Sequence, residues 1–96
     1  MKVRYTWDAD KAAKNLRSHG VSFEEAVEVF SDPGQVVSEN YYIGDQGEQR
    51  HQIIGMTGRL LLLLVVFVDR SISGVETIHI ISARKADKYE EKAYTD

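Results

Sequence analysis

Cysteine is absent from this 96-residue sequence. The chain therefore has no disulfide framework, no thiolate nucleophile and no zinc site that needs sulfur ligands. Its longest apolar run, residues 60–68, has nine residues, whereas a helix needs about 20 to span a bilayer. Residues 1–11 also lack the apolar segment of a secretion signal. These absences predict a cytoplasmic protein that is neither secreted nor anchored by a membrane helix.

A basic composition of the kind that usually accompanies nucleic-acid binding is missing too, since the net charge is −3. That average hides two unlike parts. Residues 22–48 carry seven acidic side chains and no lysine or arginine, which leaves 12 basic and 8 acidic residues, a net charge of +4, in the rest of the chain. We therefore expect any nucleic-acid partner to be held by a few placed arginines, and the acidic segment to favour a basic protein partner.

The composition that is present is typical of a globular protein, with 43% hydrophobic and 28% charged residues. A chain of this length supports one domain and has no room for a second. No linker, repeat or low-complexity stretch divides the sequence. We predict a single domain over residues 1–96.

Local patterns predict three helices and five strands. Asp8 is a good helix N-cap and Gly20 a good C-cap, and Ser22 begins a capping box for a second helix that Pro33 ends. A third helix is predicted at residues 87–94. Strands are predicted at residues 3–7, 35–43, 49–57, 60–68 and 76–82. The order β-α-α-β-β-β-β-α indicates an α+β fold in which an antiparallel sheet packs against helices on one face.

Polar residues gather at the ends of the last three predicted strands. If these strands form an antiparallel meander, three places in the sequence meet at one edge of the sheet. The residues concerned are Glu48, Arg50, His51, Asp69, Arg70, Glu76 and His79. Arg59 and Arg84 are expected toward the opposite end. The pattern leaves open which side chains share a face, because a shift of one residue in register exchanges the two faces.

Such a cluster suits metal-free cleavage of RNA. The 2′-hydroxyl attacks the adjacent phosphate after losing a proton to a base, and the leaving 5′-oxygen receives a proton from an acid. Arginines stabilise the charge that develops on the phosphate, in the bidentate geometry of the planar guanidinium. The alternative is structural, since arginines beside turns are commonly solvated or paired with nearby carboxylates.

Five side chains have both a functional and a structural interpretation. His51 and His79 lie within strands, where they could carry protons near neutral pH or form hydrogen bonds inside the sheet. His19 lies beside a helix end, where an imidazolium can stabilise the helix dipole. Glu48 could be a base or a solvated carboxylate, and Tyr94 could contact a substrate base or lie on the surface. No histidine pair has the spacing of a metal site, so we predict no metal and no cofactor.

Two long motifs are specific enough to compare with a known family. They are residues 19–26 (HGVSFEEA) and residues 80–86 (IISARKA). Shorter matches in the same order are Trp7-Asp8, Lys11, Asn15, Phe30, Asp32-Pro33, Gly47-Glu48, Arg50, Ile54-Gly55 and Arg70. Together these residues resemble the BrnT-type toxins, and the resemblance runs from residue 7 to residue 94.

The resemblance implies a RelE-like fold and a bacterial ribonuclease that inhibits translation, the toxin of a type II toxin–antitoxin pair. It also implies neutralisation by a BrnA-like antitoxin with a ribbon-helix-helix domain, through which the complex contacts DNA. The sequence departs from the family pattern at His79, where an arginine is frequent, and at His51, where an aromatic residue is frequent. A histidine at position 79 could instead serve as an acid. The catalytic candidates are Glu48, Arg50, Arg70, His79 and Arg84, and the further candidates are His51, His19, Lys11 and Tyr94.

Two functions therefore compete. The first is a metal-independent endoribonuclease. The second is a catalytically weak interaction module, whose main role is to bind the antitoxin in an operon-repressing complex through the acidic surface of Glu24, Glu25 and Glu28. Direct DNA binding has little support, because the chain has neither a basic helix nor a helix-turn-helix pattern.

Overall fold

The computed structural model describes residues 2–38 and 42–96, which form six strands and three α-helices. The N-terminal half contains β1 (Val3–Thr6), α1 (Ala9–His19), α2 (Phe23–Val27), a 3₁₀ turn (Glu28–Ser31), β2 (Val36–Val37) and β3 (Tyr42–Ile43). The C-terminal half contains β4 (Gln49–Met56), β5 (Leu62–Asp69), β6 (Glu76–Lys85) and α3 (Lys88–Thr95). None of the helices in these described ranges is long and apolar enough to cross a membrane.

The helix boundaries follow from the capping residues. The Asp8 carboxylate accepts hydrogen bonds from the first turn of α1, and Gly20 ends that helix in the left-handed region at φ 69°. Ser22 caps α2 by accepting from the Glu25 N–H. Asp87 and Glu90 form the complete capping box of α3. The predicted helix starts are therefore confirmed, although the second helix becomes a 3₁₀ turn after only five residues.

The sheet is mixed, with the strand order β1-β6-β5-β4-β2 and with β3 paired to β4. Strands β4, β5 and β6 form the predicted antiparallel meander. The prediction of a wholly antiparallel sheet is wrong, because β1 runs parallel to β6. The sequence pattern of β1 indicates a strand but not its direction, since its partner lies about 70 residues away and no hairpin turn links the two.

The predicted strand at residues 35–43 is also different in the structure. It is replaced by two strands of two residues, β2 and β3, which pair with different parts of β4. Residues 39–41 of that prediction lie outside the described residues. Both short strands lie along the same edge of β4, so the first strand of the meander gains partners that the sequence pattern does not separate.

One face of the sheet, which we call the core face, packs against α2 and the 3₁₀ turn. Its centre is formed by Ile53, Val65 and Ile80 from three adjacent strands, together with Phe23 and Val29 from the helical layer. All five side chains are at most 1% exposed. The apolar stripe predicted for the second helix is therefore its buried side.

The opposite face, which we call the site face, is also apolar at its centre. Leu64, Val66 and Val68 alternate along β5 with the core residues and are buried as well. Strand β5 has β6 on one side and β4 on the other. This arrangement confirms the prediction that the most apolar strand is central and covered on both faces.

A buried amide fastens α1 to the edge of β6. The Asn15 side chain donates hydrogen bonds to the Val21 and Ala83 carbonyls, at 3.0 and 2.8 Å, and accepts one from the Ala83 N–H at 3.1 Å. Breaking such bonds leaves buried groups unpaired, at about 1–3 kcal/mol for each group. The position of α1 relative to β6 is consequently fixed, which matters because both elements line the cavities described below.

Two contacts hold α3 against the rest of the chain. Arg84 forms a bidentate pair with Glu90, with two N–O distances of 2.8 Å. The Tyr94 hydroxyl donates to the Asp32 carboxylate at 2.7 Å, and this carboxylate also accepts from the Met56 N–H at 2.7 Å. These hydrogen bonds lower the pKa of Asp32, with the Tyr94 bond contributing most.

Candidate active site

The strand register puts three polar side chains and one apolar side chain in a single row on the site face. Val68 is aligned with His79, and His79 is aligned with Thr6 on the parallel strand β1. Arg50 precedes His51, which is aligned with Phe67, so Arg50 lies across from Val68. Phe67 belongs to the core, and alternation therefore directs the whole row to the site face. The buried Val68 lies between Arg50 and His79 in this row.

A cavity of about 240 Å³ opens above this row, and we call it the central cavity. Five of the sequence candidates line it together, although they come from α1, the turn before β4, β4 itself, the β5–β6 connection and β6. The lining residues are Lys11, Asp45, Gln46, Glu48, Arg50, Arg70, His79 and Ile81. The predicted convergence at the end of the meander is thus present for Glu48, Arg50, Arg70 and His79.

Glu48 holds Arg50 in place at the mouth of the central cavity. One carboxylate oxygen accepts from Arg50 Nε at 3.0 Å and lies 2.9 Å from its NH2. The pKa of Glu48 is lowered by a hydrogen bond from its own backbone N–H and by the bond from Arg50. Burial acts to lower the pKa of Arg50, but Glu48 and Tyr42 outweigh it and raise the value. A carboxylate with a lowered pKa and a bound arginine is a weak proton acceptor, so Glu48 is better suited to orienting Arg50 than to acting as a base.

His79 is the proton carrier that the cavity contains. Burial lowers its pKa most, and the charges of Arg70 and Lys11 lower it further, while Asp8 acts in the opposite direction. The imidazole is therefore neutral at pH 7, the state in which it can accept a proton. Its Nδ1 lies 2.8 Å from Thr6 Oγ1, which fixes the orientation of the ring.

Arg70 and Lys11 provide the cavity with positive charge. Within the described residues, neither side chain has a carboxylate partner at ion-pair distance. Arg50 is already neutralised by Glu48, whereas Arg70 and Lys11 are close enough to His79 to lower its pKa. Two cations beside a neutral imidazole form a site suited to a phosphate group.

The other sequence candidates lie outside the central cavity. His51 is on the core face, with its ring centroid 5.5 Å from that of Phe67, and it lines a separate cavity with Asp69. Glu76 is at the start of β6, aligned with Val3, and does not line the central cavity. The predicted edge cluster is therefore divided, because residues 50 and 51 point to opposite faces of the same strand.

Arg84, Tyr94 and His19 are also placed away from the central row. Arg84 is five residues along β6 from His79, about 17 Å at the usual rise of a strand, and Glu90 occupies its guanidinium and raises its pKa. Tyr94 is bonded to Asp32. His19 lines a neighbouring cavity along α1. Arg84 and Tyr94 thus act in the structure as contacts of α3.

The acidic surface is partly engaged within the chain itself. Glu25 accepts two hydrogen bonds from Arg59, at 2.6 and 2.8 Å, and these lower its pKa. Glu28 accepts from the Gly58 N–H at 2.8 Å, and Glu24 is exposed. Two of the three glutamates therefore hold the β4–β5 turn, and they keep the acidic surface in one geometry.

Three residues at the site, Thr6, Asp45 and Gln46, are not among the candidates that the sequence pattern indicates. Thr6 reaches His79 only because β1 runs parallel to β6, and that direction is not encoded by any local pattern. Gln46 lines the central cavity from the turn before β4, where its backbone N–H donates to Glu48 at 3.1 Å. A polar residue in a turn carries no signal that distinguishes a cavity wall from solvent.

Comparison with known proteins identifies the family and agrees with this fold. A family model for the ribonuclease toxin BrnT of type II toxin–antitoxin systems matches residues 7–90. The 1.1 Å crystal structure of the Brucella abortus ribonuclease toxin BrnT is similar in fold, with a TM-score of 0.54 and 22% sequence identity, over 91% of this chain and 100% of that chain. No curated protein sequence matches this chain. The family match spans most of the chain and every residue that lines the central cavity, so this chain belongs to the BrnT family of ribonuclease toxins.

Proposed function

We propose that this chain is an endoribonuclease toxin that cleaves RNA in its central cavity without a metal ion. The observation that carries the proposal is the arrangement of Arg70 and Lys11, two cations without carboxylate partners in the described residues, beside the neutral imidazole of His79. Arg50, held by Glu48, adds a third donor to the same wall. The family name supports ribonuclease activity, and the cavity supplies groups for each step of it.

In the proposed reaction, His79 is the base. In the tautomer that the reaction needs, Nδ1–H donates to Thr6 Oγ1, 2.8 Å away, and Nε2 takes the proton from the 2′-hydroxyl. The 2′-oxygen then forms a bond to phosphorus while the bond from phosphorus to the 5′-oxygen breaks. The Lys11 ammonium gives a proton to the leaving 5′-oxygen. The products are a 2′,3′-cyclic phosphate and a 5′-hydroxyl, and all atoms and protons are accounted for.

Arg50 and Arg70 stabilise the charge on the phosphate during this step. The lowered pKa of Glu48 keeps its carboxylate ionised, so that it continues to orient Arg50 while the substrate is bound. Preorganised donors of this kind lower the barrier because they need no rearrangement as charge develops. Arg84 supports the proposal only indirectly, by fixing α3 to β6.

Cleavage by purified protein in excess EDTA tests this proposal. We expect single-stranded RNA to be cut at an undiminished rate after chelation, and the 5′ fragments to end in a 2′,3′-cyclic phosphate. Activity that vanishes in EDTA and returns with a divalent ion would contradict the metal-independent mechanism. An Arg17→Ala variant should cut RNA in EDTA at the same rate as the wild type. Arg17 is an exposed residue of α1 that lines neither the central cavity nor the cavity beside it.

The wider role in the proposal is translation inhibition by a toxin with a RelE-like fold, neutralised by a BrnA-like antitoxin that carries a ribbon-helix-helix domain. The family's type II assignment supports an antitoxin partner. A basic segment of that partner would dock on Glu24, Glu25 and Glu28, of which Glu25 and Glu28 are held by the β4–β5 turn. This surface also favours the second candidate function, a catalytically weak module that mainly binds the antitoxin.

Charge reversal at Glu24 tests antitoxin binding by the acidic surface without changing the stability of the fold. Glu24→Lys changes an exposed residue, whereas the contacts to the β4–β5 turn are made by Glu25 and Glu28, so we expect weaker antitoxin binding with an unchanged melting temperature. Titration calorimetry with the antitoxin measures the affinity. Unchanged affinity would exclude this surface, and a toxin that binds tightly but cuts no RNA would favour the second function.

A further inference from the structure

A second cavity lies along α1, directly beside the central cavity. Its volume is about 280 Å³, and we call it the α1 groove. Its lining residues are Lys11, Lys14, Asn15, Ser18, His19, Ile81 and Ser82. Lys11 and Ile81 line both cavities, so the two cavities are neighbours that share these side chains.

The charge of the α1 groove has one sign. Lys11, Lys14 and Ser18 follow the spacing i, i+3 and i+7, which places them along one side of α1 over about 10 Å of helix axis. His19 lies at the far end, and no carboxylate is among the lining residues. The groove therefore offers lysine and hydroxyl donors to an anion, and it extends the positive side of the central cavity.

The wall shared by the two cavities is built by a β-bulge. The β5–β6 register pairs Val66 with Ser82 but Phe67 with Ile80, so Ile81 is an extra residue without a partner on β5. Such bulges redirect side chains, and here Ile81 lines both cavities. Asn15 ties α1 to Ala83 just beyond the bulge, which keeps the α1 groove open at a fixed distance from β6.

The geometry points to the α1 groove as a binding subsite for single-stranded RNA, which holds a phosphate next to the scissile one. Lys14 is its principal phosphate ligand, and His19 and Ser18 line its outer end. This assignment rests on the proposed cleavage in the central cavity and adds the direction in which the strand leaves it. RNA is favoured over an acidic protein segment because the groove shares Lys11 and Ile81 with the cavity that would hold the scissile phosphate.

The test measures kcat/KM of the Lys14→Ala variant and of the wild type on two substrates. One is a 12-nucleotide RNA, and the other is the dinucleotide that spans the bond cut fastest in that RNA. We expect kcat/KM for the 12-mer to fall about three- to tenfold, as expected for the loss of one phosphate contact, while kcat/KM for the dinucleotide stays unchanged. Arg17→Ala is the control, because it removes a positive charge from the same helix outside both cavities.

A binding measurement keeps the test independent of cleavage. With a 2′-O-methyl version of the 12-mer, which cannot react by the proposed route, the slope of log Kd against log salt concentration should fall by about 0.7 for Lys14→Ala. An equal loss on both substrates, or no loss on the 12-mer together with an unchanged slope, would overturn the subsite. Weakened antitoxin binding without an RNA effect would overturn it in favour of a protein partner. If the wild type cuts no RNA but the slope still changes, the proposed function fails and the subsite stands.

Discussion

Arg70→Ala should lower kcat/KM for RNA by about 10²- to 10³-fold, the usual effect of removing one preorganised donor from a transition state. Arg70 is the arginine of the central cavity that has no carboxylate partner in the described residues, so its charge is fully available to the phosphate. The backbone of Arg70 is fixed by its N–H bond to the Thr77 carbonyl at 2.8 Å, which a change of side chain leaves intact. The melting temperature should therefore remain close to that of the wild type.

Arg70→Lys separates charge from geometry. A lysine keeps the charge but loses the planar fork that binds two phosphate oxygens, so we expect it to restore only part of the lost activity. Values of kcat/KM are measured under single-turnover conditions with enzyme in excess over RNA but below saturation, and Arg17→Ala is the control for the loss of one positive charge. A fully active Arg70→Ala variant would remove Arg70 from the site and leave the phosphate to Arg50 and Lys11.

His79→Gln should lower the rate by about 10²- to 10⁴-fold, the range expected for the loss of a general base. The pKa of His79 is below its ordinary value of 6.5, mainly through burial. As the pH falls through that pKa, the imidazole becomes protonated and can no longer accept a proton. Wild-type kcat/KM should consequently rise with pH below 6.5 and be level at neutral pH, and the pH-dependent limb should be absent in His79→Gln.

Variants of Thr6 test the role of His79 as the base in a second way. Thr6→Val removes the hydroxyl at nearly constant volume, whereas Thr6→Ser keeps it 2.8 Å from the imidazole. We expect the valine variant to lower kcat and to shift the acidic limb of the pH profile, and the serine variant to resemble the wild type. A profile unchanged by His79→Gln would show that another group is the base, and Thr6 would then be a purely structural neighbour.

The sequence predicts the site well where local pattern and chain order are sufficient. Glu48, Arg50, Arg70 and His79 come together because β4, β5 and β6 follow one another as a meander, which is the simplest connection of three strands. The caps at Asp8 and Ser22 are equally local, since each needs only the next three residues.

What the sequence does not predict depends on register and on distant pairing. Arg50 and His51 are neighbours in the chain, yet the register with Phe67 sends them to opposite faces. Arg84 belongs to the specific motif at residues 80–86, but its partner Glu90 is found only when α3 folds back on β6. The bulge at Ile81 leaves no pattern of its own, although it joins the two cavities.

The most direct test of the account is cleavage of an RNA with a single 2′-deoxy nucleotide at the mapped cut site, in excess EDTA. The deoxy sugar removes the attacking oxygen and leaves the phosphate and both neighbouring bases in place. We expect cleavage to stop at that bond alone and the unmodified RNA to yield a 2′,3′-cyclic phosphate. Continued cutting at the deoxy position would show that water or another nucleophile attacks the phosphate, and it would contradict the role proposed for His79 in the central cavity.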